Sequence, residues 1–314
     1  MGVRLLVFGL ALAVLGGAGY GVYSLLRPGE GPPLSNVEYT PSDEPLPPAD
    51  EFEHLAKTDP VAMLARCLDR YQREVKGGFT ATLEKAELVL GKPHPTGIIR
   101  IAARDEFADH PGLRPQVRMV WTSGFPKDPI LGFEIHATLL SEKPDGAYEI
   151  VTWRPSAVRK QMAVAVNGAE ARGQSRYCMR DAGIYRGTLR TYEVWKARQA
   201  AGQLKTEYLG KRPEEKVGGR VCHVVRRTCP RPEVDAFEVG GQPSADPKEI
   251  DRDGFTEVTI MIDAERWLQV GIVIKRTDVT PERLIGEYYF RDVELNPTFR
   301  ADTFTVEAMK AAAK

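Results

Sequence analysis

Five histidines (His54, His94, His110, His136, His223) and four cysteines (Cys67, Cys178, Cys222, Cys229) are the residues whose types most readily do chemistry. His136 lies in a run of period two, Phe133 to Leu139, and shares its face with Glu134 and Thr138. A carboxylate, an imidazole and a hydroxyl on one strand face suit acid–base work. Phe133, Ile135, Ala137 and Leu139 take the alternate positions, however, so simple alternation reads the polar set as solvent-facing. The cysteines lack a C-x-x-C spacing, and His223 stands alone beside Cys222, so the pattern is not that of a metal site. Four cysteines allow three pairings. Cys222 and Cys229 sit in the extended-looking run VCHVVRRTC, where seven residues span roughly 23 Å, so they bond each other only if the chain turns back. Burial as small hydrophobes, with at most one structural bridge, is the plainer reading. G-x-S-x-G, H-E-x-x-H and P-loop patterns are missing from the sequence, and the glycines from Gly16 to Gly21 lie inside an apolar run. The expectation is a protein with no catalytic residues, no metal and no cofactor.

Lys and Arg total 43 and so do Asp and Glu, which gives zero formal net charge. No basic run with interleaved aromatics is present, so a nucleic-acid partner is not expected. Leu5 to Leu26 is uncharged and about as long as a bilayer's hydrocarbon layer is thick. That length favours an uncleaved anchor within residues 1–27. Ala18 and Gly19 offer a signal-peptide cleavage site as the alternative. Either form exports the rest of the chain. Residues 28–50 carry seven prolines among Gly, Ser and acidic residues and read as a semi-rigid linker, leaving 51–314 as the folded domain.

That domain opens on a helix. Asp59-Pro60 is a start signal, and Val61, Leu64, Leu68, Tyr71 and Val75 recur at helical spacing until Gly77-Gly78. Period-two strands follow at Phe79 to Leu83, Ile99 to Ala103, Val117 to Trp121, Phe133 to Leu139 and Glu149 to Trp153. A helical stretch from about Ser175 to Gly202 puts Ile184, Tyr185, Thr188, Leu189, Tyr192 and Trp195 on one face. Arg186, Arg190, Glu193 and Lys196 take the other. Strands resume at Arg220 to Arg226, Thr256 to Ile262, Val270 to Lys275 and Glu287 to Leu295, with a polar loop over Pro230 to Gly254. Met261 and Asp263, opposite the Val258 stripe, read as surface. One antiparallel sheet of about nine strands is near the limit for an open sheet and should curl. The expected class is α+β, mainly β: a half-open antiparallel barrel with helices covering the concave face.

The closing run from Tyr288 to Phe299, YYFRDVELNPTF, with a final Phe304, resembles the last strands of LolA-like lipoprotein carriers. The stretches LARCLDRYQ, GFTATLEK, VRMVW and LGFEIHATL are similar to the domain-of-unknown-function family 1571 (DUF1571). The resemblance runs from Asp59 to the C-terminus. It implies a LolA-like half-open β-barrel that binds acyl chains of lipids or lipoproteins in an apolar cavity. Arg104 falls loosely where the carriers hold an arginine, and no role is carried over to it. A membrane anchor departs from the soluble carriers and favours local binding over shuttling, in an inner-membrane protein with its domain in the periplasm.

The candidate ligand-lining residues are Phe79, Leu83, Ile99, Ile101, Val117, Met119, Trp121, Phe133, Ile135, Val258, Ile260, Ile262, Ile272 and Ile274 from strands, with Tyr185, Leu189, Tyr192 and Trp195 from the helix. The alternative is a protein-interaction scaffold or envelope sensor on the same fold with a filled core, for which residues 230–254 and the tether suit docking of a protein partner.

Overall fold

In the computed structural model the described residues are 39–104, 116–128, 132–142, 148–166, 168–234, 237 and 246–314. The apolar N-terminal run, residues 28–38 and His110 fall outside them. Among the described residues no helix is long and apolar enough to cross a membrane.

Residues 39–48, part of the Pro-rich stretch, pack against a helix. The Tyr39 hydroxyl donates to Asp69 Oδ1 at 2.7 Å and the Ser42 amide donates to the same oxygen at 2.9 Å. Asp69 is fully buried, and Arg66 adds a 3.2 Å ion pair. Burial, then the adjoining Asp69, pushes the Tyr39 hydroxyl's pKa far upward. Helix α1 (Ala49–Thr58) follows, and helix α2 (Pro60–Glu74) starts where its sequence signal lies. Asp59 accepts the Ala62 amide at 3.1 Å, and Pro60 stands where no helical N–H is needed. Gly78 ends the turn with φ +89; a Cβ there would lie 2.1 Å from the Ala103 carbonyl oxygen, so no other residue fits without backbone movement.

The strands are β1 (Phe79–Val89), β2 (Lys92–Pro93), β3 (Gly97–Arg104), β4 (Gln116–Ser123), β5 (Ala137–Glu142), β6 (Tyr148–Trp153) and β7 (Gln161–Ala165), then β8 (Lys205–Glu214), β9 (Arg220–Glu233), β10 (Phe255–Asp263), β11 (Gln269–Arg276) and β12 (Arg283–Leu295). They form one curled, unclosed antiparallel sheet of twelve strands in the order β7-β6-β5-β4-β3-β1-β12-β11-β10-β9-β8, with β2 hairpinned onto β1. Strand β1 closes back on the last strand β12, with Leu83 opposite Phe290 and Lys85 opposite Tyr288. Between the halves run helix α3 (Ala169–Arg172), a short 3-10 turn (Met179–Asp181) and helix α4 (Ile184–Ala200). Helices α5 (Pro247–Asp253) and α6 (Val306–Ala312) follow.

The concave face is apolar and is covered by helices. Phe52 of α1 stacks on Trp267 at 4.1 Å between ring centroids, while α2 and α4 pair through Tyr71 and Tyr185 at 5.3 Å. Gln72 Nε2 donates to the Tyr185 hydroxyl at 2.6 Å. On the convex side α6 inserts Met309 among Val120, Ala137, Leu139 and Val151.

Four expectations change. The loop expected over Pro230 to Gly254 is entered by β9 as far as Glu233 and carries α5 at Pro247–Asp253. The alternation around His136 slips by one residue: Ile135 and Thr138 both face inward, whereas Ala137 and Leu139 turn to the convex cluster that α6 covers. Met261 and Asp263 are buried rather than exposed. Asp263 accepts the Glu265 and Arg266 amides at 2.9 and 3.1 Å, and Arg220 at 2.6 Å, so its turn is held by buried bonds. Arg186 and Arg190 are buried as well, because α4 is wedged between α2, the sheet and the segment leading into it.

Candidate functional site

The two halves of the concave face differ. Over β9, β10 and β11 the helices fill the groove, leaving a void of about 20 Å³ beside Trp195, Val258 and Ile274. Over β4 to β7, β1 and β12 a cavity of about 150 Å³ remains, opening into a cleft whose total empty space, solvent in the mouth included, is about 1250 Å³. A dry cavity of ~150 Å³ lined by apolar side chains holds a benzene-sized molecule, roughly six carbons. The apolar wall is built by alternate residues of successive strands: Leu83, Met119 and Trp121, then Ile150, Met162 and Val164, with Ile272 and Phe290 from the other side. Cross-strand register sets this, since Ile150 pairs with Val164 and Met119 with Thr138. The lid comprises α3, the 3-10 turn and the first turns of α4, which contribute Ala171, Met179, Gly183 and Gly187.

One end of the wall is polar and internally satisfied. Lys85 Nζ meets Glu87 Oε2 at 2.9 Å and Ser175 Oγ at 3.1 Å; Ser175 Oγ donates to Glu87 Oε1 at 3.2 Å, and the Tyr288 hydroxyl does so at 2.6 Å. Burial alone would raise the Glu87 carboxyl, but nearby Lys85 and the bonds from Tyr288 and Lys85 hold it below the usual carboxylate range. Burial, reinforced by Glu87, pushes the Tyr288 hydroxyl well above its ordinary value. This is a structural network with no poised acid or base.

The lid side is different. Asp181 is buried with Oδ1 lacking a hydrogen-bond partner, and desolvation raises its carboxyl although Arg186, Arg190 and Arg180 pull the other way. Gln269 Oε1 and Thr138 Oγ1 are two further buried wall acceptors without a partner. Arg190 lies over the Tyr177 ring, its guanidinium carbon 3.6 Å from the centroid.

Of the residues singled out in the sequence, Leu83, Met119, Trp121, Ile135 and Ile272 lie on the cavity wall. Trp195, Val258 and Ile274 border the small void. Phe79, Ile99, Ile101, Val117, Ile260, Ile262, Tyr185 and Leu189 are packed in the core away from the cavity wall. Tyr192 packs edge-on to Tyr39 at 5.4 Å, and Phe133 is half-buried off the wall. The wall also takes residues of β6 and β7 and Arg190 that are not among the sequence's lining candidates; Ile150 with Thr152, and Met162 with Val164, share a strand face in the sequence.

His136 stacks on Phe125 at 4.2 Å, partly exposed, with Glu134 at 3.7 Å. All four cysteines are free and buried. Burial raises the thiol of Cys178, on the cavity wall, to about 12, and that of Cys222 to about 12 as well, so neither supplies thiolate at neutral pH. Among the described residues no group of three His, Cys, Asp or Glu side chains is placed to hold a metal ion.

No family model and no curated protein sequence matches the chain. The likeness to the DUF1571 family therefore stands on the quoted stretches alone. Solved structures similar to it include MucB, at 12% identity over 78% of this chain and 63% of that one, with a TM-score of 0.40. A DUF1329 family protein from Desulfovibrio piger is 11% identical over 80% of this chain and all of that one, with a TM-score of 0.33. A LolA superfamily protein from Nitrosomonas europaea is 8% identical over 77% of this chain and 97% of that one, with a TM-score of 0.29. None of these likenesses is close enough to transfer a site or an activity.

Proposed function

We propose that this chain is an extracytoplasmic, LolA-like binding protein, tethered by its N-terminal apolar run, that takes the acyl chain of a lipid or lipoprotein into the cavity under α4 and performs no catalysis. The observation that carries this is the division of the concave face: an apolar cavity with an open mouth persists over β4 to β7 while the other half is filled. Its driving force is burial of methylene groups, about 0.8 kcal/mol each from water and much less when the tail leaves a bilayer. Six carbons in the closed part describe the end of a chain, with the remainder along the mouth. The test is native mass spectrometry of the full chain released from membranes in mild detergent. An acyl-bearing adduct that is lost in Val164→Phe with the fold intact supports the reading; a bare mass that takes up no added lipid or acylated peptide removes it.

The modest size of the closed cavity favours a second reading, a filled-core scaffold or sensor that docks a protein partner. In that case the bare mass is found, and deleting residues 234–245 abolishes co-purification of one defined partner.

A further inference from the structure

We infer that Arg190, together with the first turn of α4, seats an anionic group, a carboxylate or a phosphate, belonging to the amphiphile whose tail enters the cavity. This deepens the binding function proposed above and rests on it.

Arg190 is on the cavity wall and only 8% exposed. Its guanidinium carbon lies 3.6 Å from the Tyr177 ring centroid, a contact that restrains the group without using its N–H donors. Among the described residues no carboxylate or carbonyl accepts a hydrogen bond from it, in contrast to Arg154, which pairs with Asp128, and Arg227, which pairs with Glu233. A guanidinium on a largely enclosed wall with no carboxylate partner can take a bidentate anion, the group that its fork fits. The helix adds to this. Gly183 caps α4 with no side-chain hydrogen bond, and Gly183 and Gly187 line the same cavity, so the positive end of a 17-residue helix borders it.

The local charge agrees. Three guanidinium groups, Arg180, Arg186 and Arg190, gather about Asp181; with Glu170 and Asp128 on the wall and Arg154 paired to Asp128, that leaves four cations against three acids. Lys85 and Glu87 neutralise each other at the far end and leave no claim on a ligand. Asp181 does not bond Arg190, so the fork stays open, and its own carboxyl repels an anion when ionised.

The test uses the full chain held in amphipol and measures affinities for dodecanoate, dodecyl phosphate and dodecanol, with inorganic phosphate alone as a fourth ligand. Dodecanoate and dodecyl phosphate are expected to bind at least about tenfold more tightly than dodecanol. Arg190→Gln should erase that difference and leave dodecanol unchanged. Asp181→Asn should tighten the two anions and not the alcohol. Should Arg190→Gln fail to fold, Arg190→Lys carries the test: it keeps the charge, loses the fork, and should retain only part of the preference. Equal affinity for dodecanol, or an equal loss for all three amphiphiles in the Arg190 variant, overturns the anion seat while leaving cavity binding in place. Tight inorganic phosphate that dodecanoate does not displace overturns it in favour of a free-anion site. Failure of every amphiphile to bind removes the underlying function instead.

Discussion

Val164→Phe separates a cavity that binds from one that is merely a packing fault. Val164 projects from the short edge strand β7 directly opposite Ile150, both on the cavity wall. Phenylalanine adds four carbons there, and the ~150 Å³ cavity accommodates about six. About four methylenes of ligand are therefore excluded, which at ~0.8 kcal/mol each is about 3 kcal/mol, or about two hundredfold in affinity for an amphiphile drawn from water. The same substitution fills a void, so folding stability should stay within about 1 kcal/mol of wild type. The assay is displacement of a fluorescent fatty acid by dodecanoate from the full chain in amphipol, with urea unfolding in parallel. Ile260→Trp is the matched control: Ile260 is fully buried in the filled half, so overpacking there should cost about 1–3 kcal/mol of stability and change dodecanoate affinity little while the chain is folded. An affinity within threefold of wild type for a folded Val164→Phe refutes the assignment of the tail to this cavity.

Trp195→Ala removes the largest fully buried side chain and should lower urea-measured stability by about 3–5 kcal/mol. Asp128→Ala leaves Arg154 buried beside its lost carboxylate and should cost a similar ~3–5 kcal/mol, partly restored by Arg154→Met in the double variant. Burial holds His223 below its ordinary 6.5, so its contribution is complete above that pH and is lost as pH falls through the folded value. Thermal melts taken from about pH 7.5 down to 5 should therefore show a steeper acid loss in wild type than in His223→Phe. Asp181 is shifted the other way: its contribution is complete below 3.8 and lost as pH rises through the raised folded value. Asp181→Asn should then gain stability over wild type as pH rises from about 4 to 7, and parallel profiles would contradict the buried, desolvated carboxyl.

Much of the scaffold was legible because local signals and packing agree. Asp59-Pro60 and Gly77-Gly78 bracket α2, and the alternating strands from Phe79 and from Val258 and Val270 appear with the inward faces that their patterns dictate. Strand β8 escaped because Lys205 to Glu214 is largely exposed at the sheet's edge, so no alternation marks it. The slip at Ile135–Thr138 escaped for the opposite reason: both faces of β5 are covered, one by the lid and one by α6, so polarity no longer reports direction. Periodicity puts Arg190 on the face opposite the apolar stripe, but α4 has no wet side over its first turns, so Arg190 is buried. The cavity itself is invisible to pattern. Ile150 and Ile260 are the same residue type in the same kind of strand, and only the placement of helices decides that one faces empty space.

That placement also explains how polarity is distributed around the cavity. At the β1–β12 end, Lys85, Glu87, Ser175 and Tyr288 satisfy one another, so the floor is closed chemically and offers a ligand nothing to bind. Around the cavity, Asp181 Oδ1 of the lid, Gln269 Oε1 of β11 and Thr138 Oγ1 of β5 are buried acceptors without partners, and Arg190 lies on the wall over the Tyr177 ring. Buried polar groups in folded proteins are nearly always bonded, so under the proposed function these atoms are the ones that a ligand's polar group would satisfy. In the proposed binding mode, a tail along Leu83, Ile150 and Val164 with its polar group near Arg190 keeps methylenes on the apolar strands and charge off them. Gly183 and Gly187 at the start of α4 line the same cavity as the strand residues, so a ligand bound there would bridge the lid's first turn and the sheet.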